Sequence, residues 1–366
     1  MLLPQYENLD TIHLQRLFDN MSECYKLFWF QAIVEQVHAG NTELSFETLI
    51  DNMIADAWYM VTEYRLNLGP ADNLEDLVHY AQGVLGLKSS EKKSVILEAV
   101  KLSDDKDLLR RKNILTYNVP FRLQAPFMQD LKGSAWDGSK ASLAERINSH
   151  TGLVYSFSCI SGLNSTLIVD PAWAAYLRNN YEIITGWIKF NMIQYLQRRN
   201  PSVPGIPNKL VPPRERKLQK VTNYWKTVLD VHPIHEIYGD VVLDATSSIS
   251  IDHFVPWSYV AHDELWNLHP TTRSINSSKS NNLPDWSKYF SRLSRIEYCA
   301  YELIWSNEHV HAAFDRCAKE HINSMDVMQK LYRPDLTFEE YSSHLEDIIL
   351  PVYTAAANMG FDRWAL

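Results

Sequence analysis

Glycine, cysteine and long apolar runs are all scarce in this chain. Only 12 of its 366 residues are glycine, and they form none of the clustered patterns that cradle a phosphate or a dinucleotide. The four cysteines, Cys24, Cys159, Cys299 and Cys317, are dispersed and make no CxxC pair, which excludes a disulfide framework and fits a reducing cytoplasm. No run of 18 apolar residues occurs. The nearest, Leu153 to Tyr176, is interrupted by Ser156, Ser158, Asn164 and Asp170, and the N-terminus lacks a basic region followed by an apolar core. No membrane association is expected.

What the chain has is enough apolar material for two or three cores, at 46% hydrophobic residues, and a lopsided charge. The net charge is -9, yet residues 1–76 hold 13 acidic side chains against Arg16, Lys26 and Arg65, a net of -10 that leaves +1 for the remainder. Phosphates would be repelled by such a region, so it is expected to pack, to bind a protein partner through its helices, or to guard a site. An ordinary solvated acidic surface is the plainer alternative. The apolar residues Leu14, Leu17, Phe18, Met21, Tyr25, Phe28, Trp29, Val34 and Val37 recur at helical steps up to Gly40 and predict one long helix. A second helix is predicted from Phe46 to Arg65 with Ser45 as its cap, and shorter ones over Leu74–Val84 and Glu91–Leu102.

Basic residues gather further on. Trp187 to Leu196 reads as an apolar helix ending in Arg198-Arg199, followed by Pro201, Pro204, Pro207, Pro212 and Pro213 and then by Arg214, Arg216 and Lys217. Lys209, Lys220 and Lys226 add to this stretch, and Glu215 alone opposes it, which suits a phosphate-gripping approach surface or a solvated helix face. After Pro284 helical patterns return, over Trp286–Trp305 and over Tyr341–Met359 despite Pro351. His309 and His311, two apart, make a poor metal pair.

Between these regions lies a spaced set of polar residues. Asp252-His253 is followed 14 residues after the histidine by Asn267-Leu268, and nine residues further on by Asn276-x-x-Lys279. Ser248–Ile251 and Leu268–Thr272 suit two short strands, Pro256 and residues 262–264 read as loop, and Ser274 is placed to cap a short helix carrying Asn276 and Lys279 on one face. The pattern resembles the HNH nuclease motif, over about 50 residues from Ile234 to Pro284.

The resemblance implies a ββα-metal unit that hydrolyses phosphodiester bonds. His253 is then the general base, Asp252 and Asn276 are the ligands of Mg2+ or Mn2+, and Asn267 fixes the loop so that His253 faces the phosphate. Those residue types suit that chemistry: imidazole titrates near neutrality, and a carboxylate with an amide carbonyl suits a hard dication. Lys279 and Arg273 are expected to contact nucleic acid together with Arg214, Arg216 and Lys217, although a solvated helix lysine fits Lys279 equally well. Many members of the family carry CxxC pairs for a structural zinc. The stretch Thr272-Arg273-Ser274-Ile275-Asn276 has no cysteine, so no structural zinc is expected.

The expected fold is mainly α (α+β), with helical N- and C-terminal regions flanking a small HNH unit. The expected segments are 1–125 (acidic, helical), 126–230 (helical, with the basic Pro-rich lead-in), 231–285 (the nuclease unit) and 286–366 (helical). The expected function is a cytoplasmic, metal-dependent endonuclease acting on nucleic acid, DNA ahead of RNA, in a restriction or anti-phage defence setting by analogy. The competing class is a nuclease-fold binding or regulatory subunit of a larger defence complex, inactive without its partner.

Overall fold

A computed structural model describes residues 2–19, 21–212 and 218–366. The chain is mainly helical with a few small sheets, and it divides into two compact units: Met1–Pro201 with Lys209–Pro212, and Ser202–Asn208 with Pro213–Leu366.

The first unit comprises α1 (Thr11–Gln15), α2 (Tyr25–His38), α3 (Phe46–Thr62), α4 (Asn73–Leu85), α5 (Lys93–Leu102), α6 (Lys106–Ile114), α7 (Val119–Arg122), α8 (Lys140–Asn148), α9 (Pro171–Asn179) and α10 (Tyr181–Arg199). Among the described residues, a small sheet pairs β1 (Glu43–Ser45), β2 (Tyr155–Cys159) and β3 (Thr166–Val169) antiparallel, with β3 central. Ser45 caps α3 as its sequence position suggests, its Oγ accepting from Thr48 N at 3.1 Å. The single long helix expected from Leu14 to Val37 is instead two. Asp10 caps α1 through His13 N at 3.0 Å, and after Gln15 the backbone closes i-to-i+3 bonds at Arg16, Leu17 and Asp19. That turn lets Phe18 stack on Trp187 at 4.5 Å and meet Phe30 edge-on at 6.1 Å, burial that a straight helix would not give it.

Part of the acidic charge in this unit is paired with lysines. Lys93 bridges Glu35 and Asp56, and the buried Lys112 bridges Glu47 and Asp51. Both lysines come from beyond residue 76, so the excess of 1–76 is partly neutralised by α5 and α6 rather than displayed. Burial raises the Asp51 and Asp56 carboxyls above their ordinary range, with the lysines pulling the other way.

The second unit contains α11 (Gln219–Val231), α12 (Arg273–Lys279), α13 (Trp286–Ser306), α14 (Glu308–His321), α15 (Met325–Leu331) and α16 (Phe338–Asn358). Three two-stranded sheets join them. β4 (Ile234–His235) pairs with β5 (Val242–Leu243) and β6 (Ser250–His253) with β7 (Leu268–Thr271), both antiparallel, and β8 (Leu283–Pro284) runs parallel to β9 (Arg363–Trp364).

The boundaries drawn from sequence at residues 231 and 286 do not separate cores. Trp225 on α11, Phe254 and Leu268 around the β6–β7 hairpin, Leu293 on α13, and Leu345 on α16 belong to one buried cluster, each worth about 1.5–3 kcal/mol of burial. Phe254 meets Trp286 at 6.0 Å, and Trp286 stacks on Phe290 at 4.3 Å. His309 and His311 lie on α14, well apart from the β6–β7 hairpin in sequence and exposed or half-buried.

Candidate active site

The β6–β7 hairpin is built by a register that sets Ser250 opposite Thr271, Asp252 opposite His269, and His253 opposite Leu268. Strand alternation sends Asp252 and His253 to opposite faces, so the two residues meet different surroundings.

Asp252 points inward and is 4% exposed. Its Oδ2 accepts from the Tyr238 hydroxyl at 2.9 Å, and the fully buried Lys279 ammonium lies 3.3 Å from Oδ1 and 3.2 Å from Oδ2. Lys279 also donates to the His253 carbonyl at 2.7 Å. Burial drives the Lys279 ammonium below its ordinary value, and Asp252 opposes that shift. Tyr238 arrives on the turn between β4 and β5. Glu236 holds that turn, accepting from Tyr238 N at 2.9 Å, from Gly239 N at 2.6 Å and from the Thr271 hydroxyl at 2.7 Å.

His253 ends β6, 4% exposed, with Nε2 2.7 Å from Asp263 Oδ1. The loop that follows is clamped by Asn267, whose Oδ1 accepts from Val255 N at 2.7 Å while its Nδ2 donates to Val255 O at 2.9 Å. Phe254 N also donates to Asn267 O at 2.9 Å. These three bonds fold residues 254–267 back on themselves and fix the backbone on the C-terminal side of His253.

Asn276 sits mid-way along α12. Its Nδ2 donates to Ser250 Oγ at 2.8 Å and to Ile251 O at 3.0 Å, which fixes the amide plane and leaves Oδ1 without a hydrogen bond among the described residues. The helix cap is Thr272 rather than Ser274. Thr272 leaves β7 in extended backbone, as a cap requires, and its Oγ1 accepts from Ile275 N at 3.4 Å, while Ser274 lies inside the helix.

Asn276 offers a free amide oxygen, and with the Asp252 carboxylate its chemistry suits a hard cation keeping several waters, but both Asp252 oxygens are engaged by Lys279 and Tyr238, so a cation there would have to displace the ammonium. Among the described residues no group of three or more His, Cys, Asp and Glu side chains could enclose a metal. His269, opposite Asp252, is fully buried. Burial drives its imidazole down to about 3, and neither ring nitrogen has a hydrogen-bond partner among the described residues. Its Nε2 lies 3.7 Å from Asp252 Oδ2.

Residues 236–285 match the family model described as HNH endonuclease. This segment is an HNH unit. No curated protein and no solved structure matches the chain. The HNH match points to a nuclease, a phosphodiester hydrolase acting on nucleic acid. No helix among the described residues is long and apolar enough to cross a membrane.

Two expectations for nucleic-acid contacts around the HNH unit change. Lys279 is no solvated helix lysine and presents no ammonium at the surface, because Asp252 and the His253 carbonyl hold it inside. Arg273 is exposed at the start of α12, whereas Arg214, Arg216 and Lys217 lie outside the described residues. Three residues of the rest of the basic lead-in are engaged, while Arg198 and Lys226 are exposed. Lys209 is buried with Nζ 4.4 Å from the Tyr64 ring centroid, Arg199 donates to the Ser22 carbonyl, and Lys220 pairs with Glu320.

Sequence reasoning missed Tyr238, Asp263 and His269. In sequence Asp263 reads only as part of the loop at residues 262–264. The one signal for it, a carboxylate between the histidine and the middle asparagine, carries no periodicity to single it out.

Proposed function

We propose that the HNH unit is a metal-dependent endonuclease cutting DNA. In this reading Asp252 and Asn276 hold Mg2+ or Mn2+, which when bound supplies Lewis-acid relief of charge on the phosphate and the leaving oxygen. His253 takes a proton from water, the water oxygen bonds to phosphorus, and the bond from phosphorus to the leaving oxygen breaks. Asn267 keeps the loop after His253 from drifting, and Arg273, with Arg214, Arg216 and Lys217, contacts the nucleic-acid backbone. The observation that carries the reading is the fixed Asn276 amide. Both its N–H bonds are spent on β6, so its carbonyl oxygen is held in place beside the strand bearing Asp252.

A second reading draws on burial. Asp252 and His253 are each 4% exposed and Asp252 is already held by Lys279, as suits a resting form that opens only within a larger assembly. The chain would then be a regulatory or partner-dependent subunit, by analogy in a restriction or anti-phage defence system. Its partner would meet the acidic residues that stay exposed on the helical N-terminal unit, among them Glu43 and Asp76.

A plasmid assay separates the two. The nuclease reading expects purified protein to nick supercoiled DNA with Mg2+ or Mn2+, and to lose that activity in EDTA and in His253→Ala and Asn276→Ala. Protein inert on both DNA and RNA, but active once a bound partner is added, would favour the subunit.

A further inference from the structure

We infer that Asp263 is the positioning residue of the His253 imidazole, and that the C-terminal end of α14, outside the HNH unit, holds Asp263 in place. The inference rests on the nuclease reading, in which His253 is the base.

An ionised carboxylate only accepts hydrogen bonds. With Asp263 Oδ1 2.7 Å from Nε2, the imidazole proton is held on Nε2, and Nδ1 becomes the nitrogen whose lone pair can take a proton from water. A ring in the other tautomer would present an N–H where a base is needed, so the contact selects both rotamer and tautomer.

Asp263 is itself anchored from outside the motif. Its backbone carbonyl accepts from His321 Nδ1 at 2.7 Å, and His321 is the last residue of α14, 4% exposed. Next to it, the Glu264 carboxylate accepts from Asn323 Nδ2 at 2.8 Å and from Asn323 N at 3.3 Å. On the other side the turn Leu265–Asn267 leads into the Asn267 clamp. The loop is therefore gripped at 263 and 264 by the end of α14 and at 267 by its own strand. Residues 308–323 belong to the positioning apparatus of the base.

The test combines cleavage kinetics with 15N NMR of the histidine rings in the full chain. Wild-type protein should show His253 protonated on Nε2. Asp263→Asn, whose amide can present either N–H or C=O to the ring, should lose that single tautomer and lower kcat by about 10^2- to 10^4-fold with KM for DNA within about twofold of wild type. Asp263→Glu should recover part of the rate. His321→Ala should lower kcat by about 10-fold, and His321→Gln, which can still donate to the Asp263 carbonyl, should recover it. An unchanged tautomer together with wild-type kcat in Asp263→Asn overturns the inference, as does a loss confined to KM. Should wild-type protein cut nothing while the Nε2 proton is present and is lost in Asp263→Asn, the positioning role stands and the nuclease reading falls.

Discussion

Lys279 and Asp252 form a buried ion pair that joins α12 to β6, with the ammonium within 3.3 Å of both carboxylate oxygens. The same ammonium caps the His253 carbonyl, so one side chain ties the helix of the HNH unit to two successive residues of its first strand.

Removing the cation should therefore be costly. Lys279→Met is expected to lower stability by roughly 3–5 kcal/mol, because it strands a buried carboxylate. The double variant Asp252→Asn/Lys279→Met should recover much of the loss. Urea midpoints followed by tryptophan fluorescence would measure both, and a single variant as stable as wild type would show that the pair contributes little.

Asn267→Ala should leave Val255 N–H and C=O without partners, at about 1–3 kcal/mol for each group. The direct readout is hydrogen exchange at the Val255 amide, protected in the wild type and fast in the variant. Asn267→Asp keeps the acceptor for Val255 N–H but faces a carboxylate with the Val255 carbonyl, so it should fare no better than alanine.

His269 is buried and neutral, and neither ring nitrogen has a hydrogen bond to lose among the described residues. His269→Leu should leave stability unchanged or raise it by about 1–2 kcal/mol, since it removes two buried ring nitrogens that have no hydrogen-bond partner among the described residues. A clear fall in thermal midpoint would instead reveal a role for the ring beside Asp252.

Glu297 on α13 is 2% exposed, lies among Tyr224, Tyr332 and Tyr341, and leaves Oε1 without a hydrogen-bond partner among the described residues. Burial raises its carboxyl well above the ordinary 4.5, so above that pH the unfolded chain releases a proton that the folded chain keeps. Stability should fall as pH climbs from 4.5 toward the folded-state value. Glu297→Gln should remove that slope and be the more stable protein at pH 8, as denaturant midpoints at pH 5, 7 and 8 would show.

The motif was legible because its chemistry is local. Asp252, His253, Asn267 and Asn276 fall within one strand, one turn and one short helix, so that their spacing carries the resemblance to the HNH motif. Ser45 was legible as a cap for the same reason, whereas Ser274 lost to Thr272 because the cap follows the residue that leaves the strand in extended backbone. What depends on distant packing could not be read. The contact between His321 and Asp263 spans 58 residues, and the burial of Lys279 follows from where α12 docks on β6. Phe18 left the helical path for Trp187 across an even longer stretch of chain, a pull that no three- or four-residue periodicity records. The shared core of residues 221–361 likewise joins segments whose compositions suggested separate bodies.

The parallel pairing of β8 with β9, Leu283 against Arg363 and Pro284 against Trp364, also orders events in time. Translation at 5–20 residues per second adds the intervening 80 or so residues in roughly 4–16 s. At the start of that interval the nascent chain already contains Asp252, His253, Asn267 and Asn276 but lacks α14, which grips the loop and is complete only at His321, and to the end of the interval it lacks the strand that closes the sheet beside α13. A ribosome stalled anywhere between residues 285 and 360 would carry every residue of the motif in a chain whose core cannot yet close.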